Sequence, residues 1–415
     1  MTVTSLEERL TSVRAEFPAL SRRGPLGDEV IYADAPGGTQ VPQRVIDAMS
    51  DYLVGHNSNT EGEFAATRET DAVIWRARES AAAFVGGQPE EISFGQNMTS
   101  LNFNLARAVG RTMSPGDEIV VTQLDHDANV SPWLLLAQDR DFVVRTVGLT
   151  PELDIDLEQL ADAVGPRTRV VAATLASNAV GTTPDARAVA EIAHAHGALA
   201  WFDAVAYAPH RRIDVAALGA DVLLCSPYKF FGPHQGLSWL RRDLAESLPA
   251  ERVRPAGLEP PGHRFETGTL SHEGIAGCQA AIDYLASLGS GETLSAQLDS
   301  AYQLINVHEL ELTARFLEAA HRLPGATVLG RPTTDGRVFT FGLQLHDYDP
   351  AKAARQLDEV GIFAWNGNFY AQGVMEALGV PVDEGILRLG FVHYATADEI
   401  DRSIDALQGI LGGHA

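Results

Sequence analysis

Lys229 closes an apolar run, Val222-Leu223-Leu224-Cys225-Ser226-Pro227-Tyr228-Lys229, with Phe230-Phe231-Gly232 behind it. Such a run reads as a buried strand that stops at a polar edge. An ammonium group set there is costly unless it is paired or chemically used. The use that suits it is an imine to an aldehyde cofactor, because desolvation lowers a lysine pKa and frees its amine. The other reading is a lysine that snorkels out of a strand end. Upstream, in Gly197-Ala198-Leu199-Ala200-Trp201-Phe202-Asp203-Ala204-Val205-Ala206, a second short apolar strand ends in the carboxylate of Asp203. A carboxylate there suits the ring nitrogen of pyridoxal phosphate, which it keeps protonated so that the ring accepts electrons. It would equally suit a cap on the following turn. A third run, Glu118-Ile119-Val120-Val121-Thr122, leads into Gln123-Leu124-Asp125-His126-Asp127-Ala128-Asn129. A histidine at a strand exit can stack on a cofactor face and move protons near neutral pH, or it can be structural. Three polar groups at successive strand ends point to one site, since ligands of open α/β sheets bind outside the carboxyl ends of the strands.

The elements that must position these groups alternate. Ala72 to Val85 has helical periodicity, residues 91–94 read as a short strand, and Thr99 to Val109 as a helix. Residues 143–147 and 168–174 read as strands, and Ala186 to His196 as a helix stopped by Gly197. This βαβα order implies a mainly parallel sheet with helices on both faces. From about Leu294 the pattern changes: a long helix over 293–322 leads to residues 325–329, followed by strands at 337–343 and 387–391 and helices over 351–360 and 398–411. That is a smaller α+β unit. The expected division is an N-terminal segment over 1–30 that packs with the small unit, a large cofactor-binding unit over 31–295, and a small C-terminal unit over 296–415.

Composition sets bounds. The chain has 415 residues, too many for one ordinary compact domain. It is 45% hydrophobic and 21% charged, as soluble enzymes are. A net charge of −24 argues against a nucleic-acid or anionic-membrane surface, either of which needs a basic footprint. No apolar run has transmembrane length, and the first ten residues lack a signal pattern. Two cysteines, Cys225 and Cys278, rule out a disulfide framework and a cysteine-ligated metal site. A cytoplasmic location is the default expectation.

Further motifs run along the chain: Asp125-His126-Asp127-Ala128-Asn129 with Pro132-Trp133, Ser177-Asn178-Ala179-Val180-Gly181-Thr182, Asp203, Ser226-Pro227-Tyr228-Lys229, Phe265-Glu266-Thr267-Gly268-Thr269, and Arg388 before His393-Tyr394. Together, in this order, they resemble class V aminotransferase-fold enzymes, in particular cysteine desulfurases and the cysteine desulfurase-like group. The resemblance covers nearly the whole chain. It implies fold type I: an α/β large domain with a mainly parallel, seven-stranded-type sheet sandwiched by helices, plus a smaller α+β domain.

It also implies roles. Lys229 would hold pyridoxal 5′-phosphate as an imine, Asp203 would pair with its pyridine nitrogen, and His126 would stack on its ring. Asn178 would lie beside the ring or the substrate. Asn97, Met98 and Thr99, ahead of a helix, would bind the phosphate at the positive helix end, with Ser226 and Tyr228 completing that site. Thr269 would reach the phosphate of the second subunit, which implies a homodimer. Arg388 would clamp the substrate carboxylate bidentately. Gly38, with Gly37, would let backbone approach that carboxylate.

Two departures stand out. Desulfurases carry a mobile cysteine in the small domain, but the corresponding stretch, residues 361–371, has none. Cys225 and Cys278 read as core thiols. The glutamine that usually follows three residues after the strand-end aspartate is Ala206. Other signals have plain readings. His194 and His196 end a helix, where histidines favour the negative terminus over a metal, so no metal site is expected. Glu61 and Glu63, in a loop aligned with a pocket entry, face either a polar substrate tail or water, and water is preferred. The resemblance therefore implies a pyridoxal phosphate enzyme acting on an L-amino acid. The first reading is a C–S lyase for L-cysteine or a cysteine S-conjugate, of the kind found in lincosamide-type antibiotic pathways. Decarboxylating oxidative deamination, transamination and epimerisation share its first steps. A scaffold that has lost the chemistry is the non-enzyme alternative.

Overall fold

The computed structural model describes residues 5–412. The chain enters through a helix, Leu6–Ala15, and a two-residue strand, β1 (Ile31–Tyr32). It then lays down the strands of one large sheet: β2 (Ile92–Gly95), β3 (Glu118–Thr122), β4 (Val143–Val147), β5 (Thr168–Thr174), β6 (Leu199–Asp203), β7 (Val222–Cys225) and β8 (Gly236–Leu240). Their spatial order is β2-β8-β7-β6-β5-β3-β4. All neighbours pair in parallel except β8, which runs antiparallel to both β2 and β7. Every residue of β3, β7 and β8 is buried, as expected for strands covered on both faces and built from Val, Ile and Leu. β8 has no counterpart in the sequence reading, because Gly236-Leu237-Ser238-Trp239-Leu240 is short and mixes polar with apolar residues.

Two local differences matter. The strand before Lys229 stops at Cys225, and residues Pro227–Lys229 form a single 3-10 turn. Pro227 has no N–H to give a ladder, so the chain must leave the sheet there. The expected strand at residue 337 begins instead at Thr340. Val338 donates to the Gly181 carbonyl, and Arg337 donates to the carbonyls of Val180, Leu329, Arg331 and Thr340. Residues 337 and 338 are thereby bound to a loop of the large sheet, while the Phe339 carbonyl accepts from the Phe391 amide beside β10.

The smaller sheet comprises β9 (Ala326–Val328), β10 (Thr340–Leu345), β12 (Trp365–Gly367) and β13 (Ile386–Gly390), antiparallel in the order β12-β13-β10-β9. Between them in the chain, β11 (Ile362–Phe363) pairs in parallel with β1. Ile31 and Ala33 lie in the same apolar cluster as Leu387 and Leu389. β1, at the start of the unit expected over 31–295, thus forms a two-stranded sheet with β11 and packs against the core of the small sheet. The helix Leu294–Ala320 is shared. Leu298, Ala301, Tyr302 and Ile305 pack in the large core, while Leu312, Phe316 and Leu317 pack in the small one. The entering helix joins both: Leu6 and Val13 lie in the large core, and Arg14 donates to the Tyr394 carbonyl at 2.8 Å. No helix among the described residues is long and apolar enough to cross a membrane.

Candidate active site

The parallel strands β3, β5, β6 and β7 all end on one edge of the sheet, and their exits carry His126, Asn178, Asp203 and Lys229. These four surround a cavity of about 280 Å³. Asn97, Met98, Thr99, Ser226, Tyr228 and Arg388 also line it, as does Ala206. Gly38 does not; its neighbour Gly37 does, and Gly38 lies against the Tyr228 ring. Thr269 is exposed and lines a separate groove with Gln96 and Ser100. Glu61 and Glu63 are exposed and outside the cavity. His194 pairs with Asp221 at 2.8 Å, away from it. Cys225 and Cys278 are 0% exposed in the core, and burial pushes both thiols up, Cys278 to about 12.

The electrostatics of the cavity follow from burial. Lys229 donates to the Pro36 carbonyl, and its Nζ lies 4.8 Å from the Tyr228 ring centroid. Desolvation, with Arg388 adding repulsion, pushes its amine down to about 7. Asp203 is buried, and desolvation raises its carboxyl to about 6 against the opposing hydrogen bond from the Val205 amide at 2.8 Å. His126 accepts at Nδ1 from the Ala128 amide at 3.0 Å, so its proton sits on Nε2. Desolvation, then Lys229, holds it near 4, so the ring is neutral at physiological pH. Arg388, in the middle of β13, is buried and pushed down to about 9 by desolvation, which still leaves it protonated. It donates to the Asn178 carbonyl at 2.9 Å, and its guanidinium stacks 4.0 Å from the Phe369 ring centroid.

Three polar atoms in and beside the cavity are buried without any partner: Asn178 Oδ1, Arg388 Nε and Asp34 Oδ1. Unpaired buried groups of this kind are rare in folded proteins, and three of them at one cavity suit a polar ligand bound there. The helix Met98–Gly110 starts at the same spot. Its Met98 amide donates to Ser226 Oγ at 3.0 Å and its Ser100 amide to Asn97 Oδ1 at 2.8 Å. The Thr99 amide and hydroxyl remain as first-turn donors facing the cavity, at the positive end of the helix.

Sequence reasoning missed several groups. Asp34 feels both Lys229 and Arg388, and its carboxyl is raised by burial to about 6. It reaches them because its backbone bridges to Gly390, beside Arg388. Trp365, Phe369 and Tyr370 form the cavity mouth, in the stretch notable in the sequence for lacking cysteine. One signal was available: the chain has only two lysines, Lys229 and Lys352, and Lys352 sits over Tyr348 on a surface helix of the small unit. Lys229 is therefore the one lysine of the chain that lines the cavity.

The model of the aminotransferase class-V family matches residues 31–402. The chain belongs to this family. It is 32% identical over 418 residues to a probable cysteine desulfurase of Streptomyces coelicolor, covering 96% of each. It is 31% identical over 424 residues to the aminotransferase-like protein FGM3 of Gibberella zeae, covering 97% of this chain and 98% of that one. The apo structure of a cysteine desulfurase from Thermococcus onnurineus superposes with a TM-score of 0.86 at 24% identity, over 97% of this chain and 98% of that one. Class-V membership makes the cofactor pyridoxal 5′-phosphate and the chain a pyridoxal phosphate-dependent enzyme. The cavity has the donor set such a cofactor requires: a lysine amine near its free-base range, a buried carboxyl, a neutral imidazole, and an anion-binding helix start.

Proposed function

We propose that this class-V enzyme cleaves the C–S bond of L-cysteine or a cysteine S-conjugate by β-elimination, without using a protein thiol. The observation that carries the reading is the pairing of a reactive lysine inside the cavity with two thiols sealed outside it. Lys229 would anchor the cofactor, Asp203 would face its ring nitrogen and His126 its ring. Asn97, Met98, Thr99, Ser226 and Tyr228 would hold the phosphate, with Thr269 contributing to the partner's site in a cytoplasmic homodimer. Pyridoxal phosphate, when bound, supplies an electron sink for the carbon next to the substrate amine.

The chain's own groups do the rest. Arg388 lines the cavity with its Nε unpaired and one arm fixed on the Asn178 carbonyl, which would leave the rest of the fork for a carboxylate. Asn178 Oδ1 accepts from a substrate N–H. Lys229, whose amine is pushed down to about 7 by burial, would serve as the general base that removes the α-proton. Loss of that proton and breaking of the Cβ–S bond expel a thiolate, which takes up one proton. With one water consumed, the products are a thiol, pyruvate and ammonia. The test is incubation of the holoenzyme with L-cysteine, L-alanine and several S-substituted cysteines, assaying pyruvate, sulfide, thiol and aldehyde. Stoichiometric thiol and pyruvate support the reading. Aldehyde and carbon dioxide in their place would assign a decarboxylating deamination, and an amino-group transfer product would assign a transaminase.

A further inference from the structure

The cavity floor and the cavity mouth are built for different parts of a substrate. The ionisable groups that line the cavity are Lys229, Asp203, His126, Tyr228, Arg388 and Tyr370. On the reading above, the cofactor and the amino and carboxylate groups of the substrate use all but Tyr370. Among the described residues no charged side chain lines the remaining wall, and Glu61 and Glu63 stand outside it. That wall is Trp365, Phe369 and Tyr370. Trp365 is 52% and Tyr370 71% exposed, so neither ring is there to fill a core.

These rings are held, not loose. Phe369 and Tyr370 both have φ of 56°, the left-handed region that bulky residues avoid. Four hydrogen bonds keep them there. Asn178 Nδ2 donates to the Phe369 carbonyl at 2.8 Å, and the Asp127 amide to the Tyr370 carbonyl at 2.6 Å. The Tyr370 amide donates to Asn368 Oδ1 at 2.9 Å, and the Ala371 amide to the Asn368 carbonyl at 2.8 Å. The Trp365 indole lies so close over Gly37 that an added Cβ would stand 2.6 Å from its Nε1. Two aromatic faces at a cavity opening, where the nearby charge is Arg388, stacked on Phe369 and assigned above to the substrate carboxylate, suit a flat uncharged group.

Resting on the C–S lyase reading, we propose that the mouth is a subsite for a neutral, ring-bearing S-substituent, stacked on Trp365 and Tyr370. Holoenzyme kinetics with S-benzyl-, S-methyl- and S-carboxymethyl-L-cysteine test it. The expected kcat/KM for the benzyl conjugate exceeds the other two by about tenfold or more, a stacking and burial contribution of ordinary size. In Trp365→Ala and in Tyr370→Asn, whose new residue tolerates the same backbone, the benzyl-to-methyl ratio falls toward one. A wild-type ratio near one, or a ratio unmoved in both variants, overturns the proposal. Titration calorimetry with the same three compounds separates it from the lyase reading. If no conjugate is cleaved, that reading fails, while tighter benzyl binding lost in both variants still supports the subsite. Equal binding of all three overturns the subsite even if cleavage is seen.

Discussion

The floor of the cavity and its mouth come from different parts of the chain and obey different rules. The floor stands on strand exits of a sheet whose central strands are almost entirely buried, so Lys229, Asp203 and His126 are set at the edge of the large core. The mouth stands on β12 and the loop that follows it in the small unit, with Phe369 and Tyr370 in left-handed backbone tied to the large unit by single hydrogen bonds from Asn178 and Asp127. Reaction type belongs to the floor, where burial moves every titratable group toward neutrality. Substrate choice belongs to the mouth, where side chains can change without disturbing that burial. Arg388 bridges the two: it rises from β13 of the small sheet, bonds a floor loop through Asn178 and stacks under Phe369 of the mouth.

The sharpest break in this contrast is at the floor. Lys229→Ala should lower kcat by roughly 10²–10⁴-fold or more, since it removes both anchor and base; a preparation free of wild-type enzyme that still turns over normally would end the assignment. Arg388→Lys should raise KM for amino-acid substrates about tenfold or more. It keeps the charge but loses the fork, and charged hydrogen bonds contribute roughly 1.5–3 kcal/mol. The visible spectrum of the bound cofactor should survive the change; its loss would mean that Arg388 supports the floor rather than the substrate.

A pH series sharpens the comparison next. Apoenzyme captures the cofactor only through a neutral Lys229 amine, whose pKa is lowered from 10.5 to about 7. Capture, followed by stopped-flow absorbance, should therefore accelerate roughly tenfold from pH 6 to pH 8 and then level off. Continued acceleration beyond pH 9 would mean that burial does not move the amine. Smaller effects divide neighbouring glycines. Gly37→Ala must displace the Trp365 indole, whereas an alanine at Gly38 meets Tyr228 Cδ2 at an ordinary 3.5 Å. The first should alter the preference among S-conjugates, and the second should alter neither preference nor Tm by much. Smallest of all, Cys225→Ala with Cys278→Ala should leave the chemistry running and cost about 1 kcal/mol each in unfolding experiments, because both thiols only fill core. A folded, cofactor-loaded double variant without turnover would bring a thiol back into the mechanism.

Much of the fold is legible in the sequence because buried parallel strands announce themselves. Val-Ile-Val-rich runs such as β3 and β5 have no other stable place, and a polar residue just past each run marks the ligand edge. The cofactor is legible for the same reason, through Lys229 and Asp203. What stays hidden depends on tertiary contact. β8 reads as a mixed segment until β2 and β7 enclose it. The start of β10 shifts because Arg337 and Val338 bond a loop far away in the chain. Asp34 gains its environment only when its backbone bridges to Gly390. The aromatic mouth has no period or motif at all; residues 361–371 stand out in sequence for a missing cysteine, and the rings that are present acquire meaning only beside the cavity.

The claim on which the rest depends is that Lys229 forms the covalent bond to pyridoxal phosphate. Borohydride reduction of the holoenzyme, proteolysis and mass spectrometry of the labelled peptide test it directly, and a chain with two lysines leaves little room for ambiguity. The account predicts one phosphopyridoxyl group per chain, on the peptide that contains Pro227-Tyr228-Lys229, and none on Lys352. Label on Lys352, or a coloured holoenzyme that reduction leaves unlabelled at Lys229, would contradict it.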